Sequence, residues 1–179
     1  DEDSALVFSA GTGNQLSVAD LDAGAGELQV TLTASNGTIT LAGLAGLSFT
    51  AGDGTGDAVM TFAGTAGAIN AALDGMAFTG SANFNGAGGL QILTSDQGNS
   101  GSGGALSDSD SVAITVGAVN DAPVHSVPGA QSVDEDSALV FSAGTGNQLS
   151  VADLDAGAGE LQVTLTASNG TITLAGLAG

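Results

Sequence analysis

The first 46 residues of this chain occur twice. Residues 1–46, running from Asp1 through the DLDAG stretch to Gly46, return without one substitution as residues 134–179, an offset of 133 residues. That period exceeds the roughly 20 to 50 residues of a solenoid unit and matches a whole domain, so the chain reads as a window on a tandem array. The segment GAVNDAPVHSVPGAQSV, residues 117–133, carries both prolines of the chain. Proline cannot donate to a ladder and stiffens a connection, which sets the linker here and the boundary near Asn120–Pro123. The expected organisation is one domain over 1–120, lacking its first strand, and the start of an identical one over 121–179.

Charge narrows the possibilities next. The 179 residues include 19 Asp and Glu, no Lys or Arg and a single His, for a formal net charge of −19. The carboxylates have no cationic side chain to pair with except a protonated His125, so compensation must come from solvent cations or bound metal. Nucleic-acid binding relies on Lys and Arg clusters and is excluded. Direct contact with an anionic membrane surface is excluded on the same ground, and no apolar run approaches the roughly 20 residues of a membrane span. High negative charge with few aromatics can signal disorder, but 42% of residues are hydrophobic, mean hydropathy is +0.33, and the apolar residues fall in short alternating runs. A folded, small-residue β protein is the expectation. Without cysteine, its stability must rest on packing or on ions.

The strand segments are short, rich in Val, Thr, Leu, Ile and Phe, and bounded by Gly, Asn, Asp and Ser. They cover Ala5–Ser9, Gln15–Ala19, Glu27–Ala34, Gly37–Ala42, Leu47–Thr50, Ala58–Ala63, Met76–Thr79, Gly89–Thr94 and Ser111–Val116. Leu28, Val30 and Leu32 alternate with polar residues, and Asn36-Gly37 follows before Ile39 and Leu41. That pattern predicts a β-hairpin closed by a type I′ turn. Ile69, Leu73 and Met76 instead recur at helical spacing within an Ala-rich stretch, predicting one short helix over 66–74. The fold class expected is all-β, an antiparallel β-sandwich with one short helical crossover, arranged in tandem, with Phe8, Phe49, Phe62, Phe78 and Phe84 in its core. Small Ala and Gly faces limit apolar burial, so the metal-free fold should be marginal.

One period holds 13 acidic residues, clustered at Asp1-Glu2-Asp3, Asp20-Leu21-Asp22, Asp53 and Asp57, Asp108-Ser109-Asp110, and Asp121. Carboxylates at i and i+2 on extended backbone point to one side and repel unless a cation lies between them. Acidic loop residues are usually just solvated. Several such pairs per period with no Lys or Arg shift the balance toward a hard cation, and oxygen-only donors on loops suit Ca2+.

NDAP at Asn120–Pro123, followed by VDED at Val133–Asp136 and VADLDAG at Val151–Gly157, resembles the cadherin-like tandem repeats of very large bacterial surface proteins, including the RTX-type adhesins exported by type I secretion. The similarity extends over the 133-residue period, including INAALDGMAFT and the ending SDQGNSGSGGALSDSDSVAITV. The resemblance implies an Ig-like, cadherin-like sandwich with calcium held at each domain junction. The residues it assigns are Glu2 from the upstream domain, Asn120 and Asp121 from the linker, and Asp153 and Asp155 from the downstream loop. It gives Asp20 and Asp22 to the preceding junction and Glu135 to the following one. The linker reads NDAP where animal cadherins have NDNAP, and no DRE triplet appears, which leaves the number of ions per junction open.

Other features weigh less. GDGTGDAVM at 52–60 resembles a single nonapeptide calcium repeat, which alone cannot build a parallel β-roll. Asn36-Gly37-Thr38 is a formal glycosylation acceptor that a turn already explains, and His125 reads as a linker or edge residue. Gly98–Gly104 reads as a hairpin tip rather than a phosphate loop, because neither a helix nor a Lys follows. Catalysis is not expected: Cys, Lys, Arg and Tyr are absent and the one His lies beside the prolines. The function expected is a calcium-rigidified extender repeat of an extracellular, secreted bacterial surface adhesin, projecting distal binding domains for adhesion and biofilm formation. Its partners would be neighbouring identical repeats in the same chain. Alternatives are a self-associating surface filament or biofilm-matrix fibre, and a carbohydrate-binding module, against which the absence of Trp and Tyr counts.

Overall fold

Every strand pairing among the described residues is antiparallel. The computed structural model describes residues 1–99 and 102–176, and the chain divides into two units, Asp1–Val119 and Asn120–Gly179.

The first unit contains β1 (Ala5–Phe8), β2 (Glu27–Ser35), β3 (Gly37–Thr40), β4 (Ser48–Ala51), β5 (Val59–Thr65), α1 (Ala66–Leu73), β6 (Met76–Gly80), β7 (Gly86–Ser95) and β8 (Ser107–Val116). Two sheets result, one in the order β1-β6-β3 and one in the order β4-β5-β2-β7-β8. Period-two alternation turns Leu28, Val30 and Leu32 of β2 inward against Met60 and Phe62 of β5, while Ile39, Met76 and Phe78 come from the other sheet. All of these are buried, which gives the sandwich one shared apolar core. Phe8 is buried with them; Phe49 and Phe84 pack against the core while partly exposed.

α1 is the crossover the apolar spacing predicts. Thr65 caps it, its hydroxyl accepting from the Ala68 N–H at 3.3 Å, and Gly75 leaves it at φ +100°. Ile69, Ala72 and Leu73 face the core, so the helix carries the chain from β5 in one sheet to β6 in the other.

Three expectations require correction. Asn36-Gly37 does not close a hairpin: β2 pairs with β5 and β7, and β3 pairs with β6 in the opposite sheet. Asn36 takes φ +56°, but the chain turns a corner between sheets, with Ser81 N–H donating to the Asn36 carbonyl and the Asn36 amide donating to the Ala87 carbonyl. Gly37 is required for a different reason than a turn angle. A Cβ there would lie 2.4 Å from Cζ of Phe78 and 2.6 Å from the Thr79 carbonyl, so the aromatic ring occupies the space a side chain would need.

Gln15–Ala19 is not a strand in the first unit. The Asn70 side chain instead meets Val18 from both sides, its Oδ1 accepting from the Val18 N–H at 2.8 Å and its Nδ2 donating to the Val18 carbonyl at 2.9 Å. Finally, β8 begins at Ser107 and not at the expected Ser111, so Asp108 and Asp110 lie within the strand, on the exposed edge of the five-stranded sheet. Charge on an edge strand discourages pairing with another chain, which accounts for both without a ligand.

In the second unit, the linker contributes β9 (Val124–Ser126), which pairs with β10 (Ser150–Ala152). Val151 pairs with His125, so the lone histidine sits in a two-stranded ladder. The copies of β1, β2 and β3 form no strands there. In the first unit those strands draw every ladder partner from residues 59–95, and the 179 residues hold no second copy of that stretch. Among the described residues no helix is long and apolar enough to cross a membrane.

Candidate metal centre

The two DLDAG copies fold alike. In the first unit Asp20 Oδ1 accepts from the Asp22 N–H at 3.0 Å and the Ala23 N–H at 2.8 Å. In the second, Asp153 Oδ1 accepts from the Asp155 N–H at 2.9 Å and the Ala156 N–H at 2.8 Å. This is an Asx turn: a short carboxylate folds back on its own backbone because two N–H groups lie within its reach. It holds the first carboxylate of each pair in place and sets the second beside it.

The electrostatic cost is visible at Asp20 and Asp22. The Ala23 and Asp22 N–H groups, aided by a hydrogen bond with the Asp22 side chain, hold the Asp20 carboxyl below its ordinary value. Its neighbour moves the other way. The hydrogen bond with Asp20 and repulsion from that charge raise the Asp22 carboxyl, with a smaller contribution from Asp96. Two carboxyls that share a proton are the arrangement a divalent cation would relieve.

Asp121 joins the second pair. Its backbone N–H donates to Asp155 Oδ2, and Asn120 Nδ2 donates to the Asp121 carbonyl at 3.1 Å. Asp121 thus meets the second pair through its backbone N–H, with the Asn120 amide adjoining. Glu2 belongs to the first unit and is buried, 2% exposed. Its backbone N–H donates to the Gly117 carbonyl at 2.8 Å, and its Oε1 accepts from the Val119 N–H at 2.8 Å. The side chain therefore holds the exit of β8, immediately before Asn120 in the chain. Its copy Glu135 is exposed, and the residues that would answer to Gly117 and Val119 do not recur in the sequence.

Two acidic residues that the motif reading passed over, or read otherwise, have defined roles. Asp96 Oδ1 accepts from the Gly98 N–H at 2.8 Å and the Leu106 N–H at 2.7 Å, closing the β7–β8 tip; its charge acts on Asp22. Only an Asp followed by Gln-Gly hints at that turn in the sequence. The Gly98–Gly104 stretch lies in part outside the described residues. Asp57 Oδ2 accepts from the Asp53 and Gly54 N–H groups at 2.9 and 2.8 Å, and Asp53 Oδ1 accepts from the Thr55 N–H at 3.0 Å. The GDGTGD loop is thus ordered by its own carboxylates.

Among the described residues no group of three or more His, Cys, Asp or Glu side chains gathers closely enough to hold a metal ion. The donors present are all oxygens, which suits calcium in kind; in number they come as pairs, so carbonyl groups, the Asn120 amide or water must complete a shell. Compared with known protein families, with curated proteins and with solved structures, the chain matches none.

Proposed function

We propose that this chain is a calcium-stiffened extender repeat of a large, secreted bacterial surface adhesin. The observation that carries the reading is the Asx-turned carboxylate pair, built identically at Asp20/Asp22 and Asp153/Asp155 in a chain without Lys or Arg. A carboxyl raised by its neighbour is a site where a cation stabilises the folded state, because the repulsion it removes exists only there.

Calcium on Asp153, Asp155, Asp121 and Asn120 would lock the start of a repeat, and Glu2 would secure the end of the repeat before it. Repetition of the unit then multiplies length, since a spacer needs the same module many times. At about 3.3 Å per residue the ten-residue β7 and β8 strands reach about 33 Å, which sets the order of magnitude of reach per repeat. The proposal includes no chemistry on a substrate: the single His lies in the β9–β10 ladder, and Cys, Lys, Arg and Tyr are absent.

Calorimetric titration of the metal-free chain with CaCl2, paired with thermal melts in EDTA and in millimolar calcium, tests the reading. Saturable heat and a melting point raised by several degrees are expected, and Asp153→Asn with Asp155→Asn should remove part of the heat. Melting curves that coincide with and without calcium would sink the proposal.

A further inference from the structure

Alternation along β2, β5, β7 and β8 buries Leu28, Val30, Met60, Phe62, Leu90 and Ile114 and turns the intervening residues outward. Those outward positions hold one charge, Glu27 at the end of β2; the rest are Thr, Ser, Gln, Ala, Val, Leu and Gly. Asp108 and Asp110 share the side of Ile114 and belong to the opposite face of β8. In a chain with 19 acidic residues and no Lys or Arg, two copies repel wherever their carboxylates meet. On this face they meet almost none. Its polar groups are also partly satisfied sideways: the Thr31 and Thr61 hydroxyls share a hydrogen bond of 3.0 Å, and Gln91 Nε2 donates to Ser109 Oγ at 3.3 Å. Covering them therefore strands fewer donors and acceptors.

The face also has relief. Leu93 of β7 stands out, 42% exposed, between its register partners Thr31 and Ser109. Further along the same strand Gly89 leaves a depression rimmed by Thr33, Ser35, Gln91, Ser111 and Ala113. Gln91 lies midway between the two. We infer that this face is a self-association surface, on which a second copy of the chain packs sheet to sheet about a two-fold axis at Gln91. An axis lying between the sheets and across β7 runs the two β7 strands antiparallel, so residues equally spaced on either side of Gln91 face each other. Leu93 of each copy then enters the Gly89 depression of the other. Ten-residue strands at about 3.3 Å per residue, four of them about 4.8 Å apart, span about 600 Å2 per copy. A pair thus covers about 1,200 Å2, at the lower end of specific interfaces. The occupant is a second copy because knob and hollow lie on one face in the register a two-fold axis demands, whereas a cationic partner would be drawn to the acidic loops instead. The surface adds cohesion between chains to the proposed extender role and does not depend on calcium.

Sedimentation velocity of the full chain, in EDTA and in calcium, tests this. Monomer should pass to dimer as concentration rises, and association should be tighter at about 1 M than at about 0.01 M NaCl, because salt screens the repulsion left between the acidic loops. Leu93→Asp, at an exposed position, should keep the parent's melting curve and raise the dissociation constant tenfold or more. Gly89→Val, which fills the depression, should raise it likewise, while Val7→Asp on the outer face of the other sheet should leave it unchanged. The chain has no Cys, so single cysteines report the register. Packed sheets lie about 10 Å apart, so a bismaleimide of that reach should join Gln91→Cys chains into covalent dimers. Ala87→Cys residues would lie about 25 to 30 Å apart in this arrangement and should not be joined. A chain that stays monomeric at millimolar concentration, association that salt weakens, or association undiminished in Leu93→Asp or Gly89→Val overturns the inference. Equal cross-linking at 87 and 91 overturns its two-fold register.

Discussion

Glu2 offers the sharpest test of how this fold ends, because the sequence supplies its own control at Glu135. Truncating Glu2 to Ala removes the acceptor at 2.8 Å from the Val119 N–H and leaves that donor without its carboxylate. A bond from a neutral donor to a buried charged acceptor contributes about 1.5 to 3 kcal/mol, so about 2 kcal/mol is the expected loss. For a unit of this size about 4 °C accompanies each kcal/mol, so the melting point should fall by about 8 °C. Glu135→Ala, at an exposed position in the same DEDSALVF context, should stay within about 0.5 kcal/mol of the parent. Glu2→Gln keeps an oxygen acceptor for Val119 and should lose less than about 1 kcal/mol without metal. If Glu2 also serves calcium, the Gln variant should lose part of the calcium-induced stabilisation that the parent shows. Calorimetric melts in EDTA and in calcium supply the comparison. A Glu2→Ala chain that melts with Glu135→Ala would refute the clamp, since equal losses mean the Val119 bond contributes nothing.

Carboxylate titration provides a second check. Asp20, held low, should titrate below 3.8, and its contribution to stability should be present above that pH and fade as pH falls through its folded value. Asp22, held high, works in the opposite sense: its contribution is present below 3.8 and is lost as pH rises through its raised value. Carbon-detected NMR titration should therefore split the two carboxyls to either side of 3.8, and calcium should bring Asp22 down; coincident midpoints would contradict the shared-proton geometry. Asp57→Ala removes two hydrogen bonds to the 53–54 backbone and should cost about 1 to 2 kcal/mol in chemical denaturation, with local hydrogen exchange rising at Gly54. Phe62→Ala empties a fully buried position beside Phe49, whose ring centroid lies 5.5 Å away, and should cost about 3 to 5 kcal/mol, enough to abolish a marginal unit's cooperative melt.

Legibility from sequence followed a physical division that the repeated segment exposes directly. Features that close their hydrogen bonds within a few residues appear in both copies. Ser9 and Ser142 each cap a 3-10 turn ending in a left-handed glycine, at φ +75° and +72°. Asn36 and Asn169 take φ +56° and +57°, and both DLDAG loops make the same Asx turn. Local chemistry determined these, along with α1 and the carboxylate pairs, and residue spacing pointed to the last two.

Strands obey a different rule. LQVTLTAS forms β2 between β5 and β7 in the first unit and no strand in the second, although the residues are identical. SVA reverses the outcome, pairing with β9 in the second copy while its counterpart in the first is met by Asn70. A strand's backbone groups are satisfied by distant chain, so alternation shows which residues are able to pair and leaves the partner undetermined. The corner at Asn36-Gly37 shares that origin: a left-handed Asn and a following Gly fit a hairpin and a sheet crossing equally well locally. The Phe78 ring over Gly37 and the β3–β6 ladder decided between them. Glu2 was named from a motif, but its burial against Val119 depends on β8 returning, 117 residues later, to the point where the chain enters the fold.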